Sequence, residues 1–355
     1  MLRSSYAASF GRLRAVSLNF LSKEFLRGLA RMKDPEEIAD ALQGTWYRRE
    51  LELAASVYRA PALVEVAVNR HLVTLNTMAV QASPLFARRA LLAYLSRWDI
   101  ENIELILAAK SLGRSLEETE SFLVSSRNIP VGMAGNVIPH SDLKLLLQQA
   151  DVEAVVNQLV KYGYGAVLLQ ELGEFRRTGD LGGMVSALQK YYYDRLLWEL
   201  RFLKGDEGVL REYVRAEVAK RNILNVLKGR ESGLDKEAFS RHLIEGGLIA
   251  KEQLLEAYGT PSLSELVKRF EPWFNLSDAL QRYEQSDNLS EFEVSMDRLL
   301  VAGYMGRFRS LSLSSTAVFS FVLQAEVERQ NIRRTVYGRQ YGMPEEYINA
   351  ILLVG

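Results

Sequence analysis

The side chains best suited by type to do chemistry are carboxylates that gather just ahead of three Asn-Ile pairs: Asp99 and Glu101, then Glu217, then Glu326 and Glu328. Neighbouring carboxylates can divide acid and base roles when their surroundings separate their pKa values. On helices the commoner use is a solvated or inter-helix ion pair, and no catalytic role is assigned to these acids. Each cluster is followed by a cation: Lys110, Arg230 or Arg339. At about 1.5 Å of rise per residue, Glu217 and Arg230 lie roughly 20 Å apart along one helix. They cannot pair with each other, so each must face water or another helix.

The remaining inventory is thin. The three histidines, His71, His140 and His242, share no metal-ligand spacing. His71 is expected on a helix surface or beside Arg70, and the other two at helix starts or on the surface. The absence of cysteine removes disulfides and thiolate ligands. No Gly-x-x-x-x-Gly-Lys-Ser/Thr loop, His-Glu-x-x-His or Gly-x-Ser-x-Gly occurs. Gly163-Tyr-Gly165 lacks the third glycine and preceding strand of a dinucleotide fingerprint and reads as a turn. Gly303-Tyr-Met-Gly306 reads as a small-residue step for close helix contact. The sequence therefore predicts no catalytic, cofactor-binding or metal-binding residue, no cofactor and no small-molecule substrate.

The elements that carry these residues repeat. In each copy a basic residue stands eight positions after the Asn and a glycine eleven positions after it: Asn102 with Lys110 and Gly113, Asn222 with Arg230 and Gly233, Asn331 with Arg339 and Gly342. Each copy reads as the last turns of an amphipathic helix. The cation complements the negative end of the helix dipole, and the glycine supplies the left-handed residue that closes the helix. Asparagine is a poor helix-interior residue because its amide competes for backbone hydrogen bonds. Its recurrence predicts a structural amide, satisfied by a neighbouring helix or loop.

The likeness reaches upstream. Val68-Asn69-Arg70, Leu188-Gln189-Lys190 and Met296-Asp297-Arg298 precede their Asn-Ile pairs by 32, 32 and 33 positions, counted from the basic residue. Further back, the segment Leu42 to Tyr47 resembles Leu159 to Tyr164 and, more loosely, Leu255 to Thr260. One copy thus spans a whole small helical domain rather than a short solenoid repeat. The expected division is residues 1–128, 129–247 and 248–355. Ser22, Asp34 and Ser115 are expected helix starts, with Pro35 in a first turn. Asn128–His140 reads as an irregular connection. No alternating strand pattern appears, so the fold class is all-α, three similar helical units in series.

Lys plus Arg and Asp plus Glu are equal at 44 each among 355 residues. That balance argues against a nucleic-acid partner. A local basic bias lies in residues 1–34, including Arg12 and Arg14. The longest candidate for a membrane span, Leu311–Leu323, holds four serines and a threonine and falls short of the roughly 20 residues a span requires. The N-terminus lacks the apolar core of a signal peptide.

Three sets of residues together resemble a known family. They are Tyr6-Ala-Ala-Ser-Phe-Gly-Arg-Leu-Arg14, Thr45-Trp-Tyr47 and the three Asn-Ile helices, namely Trp98 to Ile103 with Gly113, Glu217 to Ile223 with Gly233, and Glu326 to Ile332 with Gly342. The sequence resembles the family of C subunits of archaeal and bacterial A/V-type rotary ATPases (ATP synthases), which is related to the d subunit of the vacuolar ATPase. It departs from the pattern in the second copy, where Ala219 stands in place of Asp99 and Glu328. The resemblance implies a funnel-shaped, pseudo-threefold, non-catalytic rotor subunit of the central stalk. Such a protein sits at the cytoplasmic face of the cell membrane. It carries torque between the shaft (subunits D and F) and a membrane rotor ring of small apolar subunits, for proton or sodium transport. Arg12 and Arg14 are expected to contribute to the shaft contact. The residues alone leave two other readings open: a general helical protein–protein scaffold, or an all-α enzyme with a pocket between units.

Overall fold

A computed structural model describes residues 2–124, 138–311 and 314–353. Among them there are helices and turns and no strand. The irregular connection expected over Asn128–His140 lies, up to residue 137, outside the described residues.

The first part of the chain forms α1 (Leu2–Ser17), α2 (Lys23–Leu29), α3 (Pro35–Gln43), α4 (Arg48–Ala54), α5 (Ala62–Ala82), α6 (Leu85–Leu95), α7 (Arg97–Ser111) and α8 (Leu116–Glu120). After the connection come α9 (His140–Leu147), α10 (Val152–Leu159), α11 (Gly165–Thr178), α12 (Gly182–Leu200), α13 (Gly208–Glu231) and α14 (Lys236–Ser240). The last part holds α15 (Lys251–Tyr258), α16 (Leu263–Phe270), α17 (Ser277–Ser286), α18 (Ser290–Ser310), α19 (Ser315–Gln340) and α20 (Glu345–Ile351).

The helix starts follow local chemistry. Ser22 accepts from the Phe25 N–H, and Asp34 from the Glu37 N–H with Pro35 as first helical residue. Ser115 and Glu118 form a reciprocal capping box. Each such cap satisfies backbone donors that a helix start leaves open.

The chain divides into two compact units. One comprises Met1–Leu181 with Ser312–Val354, the other Gly182–Leu311 with Gly355. In the first unit α19 packs along α5 and also meets α1, α2 and α3. Its core joins Leu29, Ile38, Leu42 and Val64 from the start of the chain to Ile332 and Val336 from its end. In the same unit α7 lies on α9 and α10. In the second unit α13 packs on α12, α15 and α18, with the Phe239 and Tyr258 rings stacked 4.0 Å apart. These units cut across the repeat, because each Asn-Ile helix packs on elements of the copy that follows. The third copy's helix packs on the first.

The structure corrects two expectations. Gly303 and Gly306 lie on an exposed side of α18, with open space where a side chain would stand, so they mediate no close helix contact. His71 is 7% exposed and stands between Trp46 and Tyr47, with ring centroids 4.5 and 4.6 Å away, while Arg70 faces solvent. The reason is that α5 is covered by α4 on one side and by α19 on another, so its buried face runs almost all the way round.

Candidate functional site: the repeated clamps

Each Asn-Ile helix ends in the same hydrogen-bond pattern. The N–H of Arg114 reaches back to the Ala109 carbonyl, that of Leu234 to Gly229 and that of Met343 to Gly338. The glycine between takes φ of +64°, +67° and +68° at Gly113, Gly233 and Gly342. This is the six-to-one closure that a left-handed residue permits. It turns the chain sharply into the short helices α8, α14 and α20.

The turned-back segment then meets the asparagine. The Asn102 amide donates to the Val124 carbonyl, while its oxygen accepts from the Val124 N–H at 2.7 Å. Asn222 does the same with Ile244, at 2.8 and 2.9 Å. Asn331 does it with Leu353, at 3.2 and 2.6 Å. In every copy the partner lies 22 residues on, and all three asparagines are buried. A primary amide matches a peptide group donor to acceptor, so one side chain replaces the backbone partner that the end of the segment lacks.

The carboxylates serve contacts between successive copies. Asp99 is buried and accepts from the Tyr164 hydroxyl and the Ile138 N–H, both at 3.1 Å. Glu328 holds the equivalent place in the third copy. It accepts from the Tyr47 hydroxyl at 2.8 Å, the Trp46 indole N–H at 3.2 Å and the Leu21 N–H at 2.5 Å. Tyr47 and Tyr164 occupy matching positions in the repeat. The third matching position is Thr260, whose buried hydroxyl has no hydrogen-bond partner among the described residues, and Ala219 stands where an acid would meet a tyrosine there. Acid and tyrosine are absent together. Glu217 instead bonds its own helix neighbour Tyr213 at 3.0 Å, and Arg230 donates to the Thr260 and Pro261 carbonyls.

A second set of polar contacts was not anticipated from the sequence. Two residues before the third asparagine, Arg329 donates to the Asn69 side chain at 2.6 Å. Two residues before the second, Lys220 meets Asp297 at 2.5 Å. Burial pulls the Lys220 ammonium down, but Asp297 and Glu293 outweigh it and hold it above its ordinary value. Asn69 and Asp297 are themselves matching positions, so the signal lay in the repeat; the first copy has the apolar Ile100 in the place of the cation. Around Arg329, Glu65 pairs with Arg333 at 2.7 Å, and Glu326 with Arg97 at 3.1 Å and the Tyr94 hydroxyl at 2.9 Å.

Arg12 and Arg14 lie on the exposed side of α1, flanking the buried Leu13. Neither side chain pairs with another described residue. His242 has Nδ1 2.5 Å from the Ser186 hydroxyl, and α9 begins at His140. Among the described residues no group of three or more His, Cys, Asp or Glu is placed to hold a metal, and no helix is long and apolar enough to cross a membrane.

These features define an all-helical protein whose buried polar groups tie one repeat to the next. The comparison with known proteins gives the class a family: the profile described as ATP synthase (C/AC39) subunit matches residues 10–351, and the chain belongs to that family. It is 37% identical to the C subunit of the A-type ATP synthase of Thermoplasma volcanium over 352 residues, 99% of each chain. It is 33% identical to that of Thermoplasma acidophilum, over 99% of this chain and 98% of the relative. It is 25% identical to that of Methanocaldococcus jannaschii, over 98% and 86%.

Proposed function

We propose that this chain is the central-stalk subunit of an A/V-type ATP synthase or ATPase, a non-catalytic coupling piece between the central shaft (subunits D and F) and the membrane rotor ring of small apolar subunits. It transmits torque for proton or sodium transport and works from the cytoplasmic face of the membrane as a peripheral protein. The observation that carries this reading is the full-length likeness to the C subunits of the A-type ATP synthases of three archaea. The interior chemistry supports it. A coupling element needs helices that do not slide past one another, and directional buried hydrogen bonds between repeats resist sliding where apolar contact alone would not.

Co-purification tests the assignment: the tagged chain should bring down a ring of small, very apolar membrane subunits. Recovery of the chain with soluble partners alone would favour a general helical scaffold. The exposed pair Arg12 and Arg14 supplies part of the shaft contact, because unpaired surface cations set orientation and association rate. The double reversal R12E/R14E should weaken binding to a D–F shaft complex by about tenfold at low salt, with a smaller effect at high salt. Unchanged affinity at low salt would remove these residues from the contact.

A further inference from the structure

The contact between the end and the start of the chain contains a titratable group with unusual surroundings. Glu328 of α19 is 4% exposed, and its carboxyl is enclosed by the Trp46 indole N–H, the Tyr47 hydroxyl and the Leu21 N–H. Among the described residues no lysine, arginine or second carboxylate bonds to it. The rings that meet it are backed by His71 of α5, whose two ring nitrogens have no hydrogen-bond partner among the described residues. His71 Nδ1 in turn lies 3.5 Å from Glu50 of α4. A buried carboxyl with polar partners but no cation is caught between two forces: donors favour the anion, and the loss of water disfavours it.

We propose that Glu328 is a proton-operated latch between the last long helix and the N-terminal segment, tightened when it takes up a proton and loosened when it releases one. Tyr47 makes both states bondable. Its hydroxyl donates to the anion and, turned about its C–O bond, accepts from the neutral acid. Burial outweighs the three donors and raises the Glu328 carboxyl to about 7, and burial together with Glu328 drives the Tyr47 phenol well above its ordinary range, so Tyr47 stays neutral throughout. The direction follows by linkage. The folded carboxyl is raised above its unfolded value, so its contribution is fully present below the unfolded value of 4.5. It is lost as pH rises from there to about 7, and it is constant above. The latch does not depend on the rotary assignment.

Hydrogen exchange of the full chain across a pH series, with each time course scaled for intrinsic exchange, tests it. In the wild type, protection of residues 19–60 and of α19 should fall by about tenfold or more between about pH 5 and about pH 7.5, then level off. E328Q should abolish that slope whatever its absolute protection. Y47F, which removes a donor to the anion, should extend the fall to higher pH. A flat wild-type profile, or a slope that survives in E328Q, would overturn the latch.

Discussion

A buried asparagine amide paired to a single peptide group is a strict device, because almost nothing else offers one donor and one acceptor at that spacing. Truncating Asn102, Asn222 or Asn331 to alanine leaves a buried N–H and a buried carbonyl unpaired at Val124, Ile244 or Leu353. Each substitution should cost about 2–4 kcal/mol, read as a lower denaturation midpoint. Aspartate should do no better, since it loses the donor and buries a charge. The sequence displayed the asparagines plainly, because a residue type costly inside a helix recurred at one place. It could not display their partners, which contribute only backbone and so leave no trace in residue identity. His71 misled for a different reason: one polar side chain beside Arg70 suggests a wet face, whereas its helix is covered on nearly every side.

Between elements, the contacts that hold one copy to the next vary in kind. Asp99 with Tyr164 and Glu328 with Tyr47 use an acid and a phenol, while the second copy relies on Lys220 with Asp297. The lysine and aspartate are largely buried, so removing one partner strands the other's charge. K220M alone should destabilise by about 3 kcal/mol or more, and the double change K220M/D297L should recover most of that loss in a thermal-denaturation cycle. A loss in the double variant equal to the sum of the K220M and D297L losses would show the pair to be uncoupled. Half of this logic was readable beforehand. The alignment of Tyr47, Tyr164 and Thr260 was visible, and so was the missing acid at Ala219. What tied the two gaps together was packing of one copy on the next, a relation that a linear repeat does not declare.

At the scale of the whole molecule, helical class followed from patterning, and capping residues marked several helix starts. The compact units did not follow, since the repeat divides the chain by residue pattern while contacts divide it by which helix covers which. Residues from 312 onward supply Ile332, Val336 and Leu352 to a core otherwise built before residue 70. A chain ending at Leu311 should therefore lose protection from protease across residues 19–80, while residues 182–311 stay comparatively resistant. Equal resistance in both regions would show that the N-terminal helices hold together unaided.

That shared core also sets an order of events at the ribosome. The helices made first must wait, with Leu29, Ile38 and Leu42 uncovered, until the last long helix has cleared the exit tunnel. A nascent chain of this kind is exposed to aggregation while those positions wait, so demand for chaperone holding should rise with every slowing of the ribosome before Gln340 has emerged.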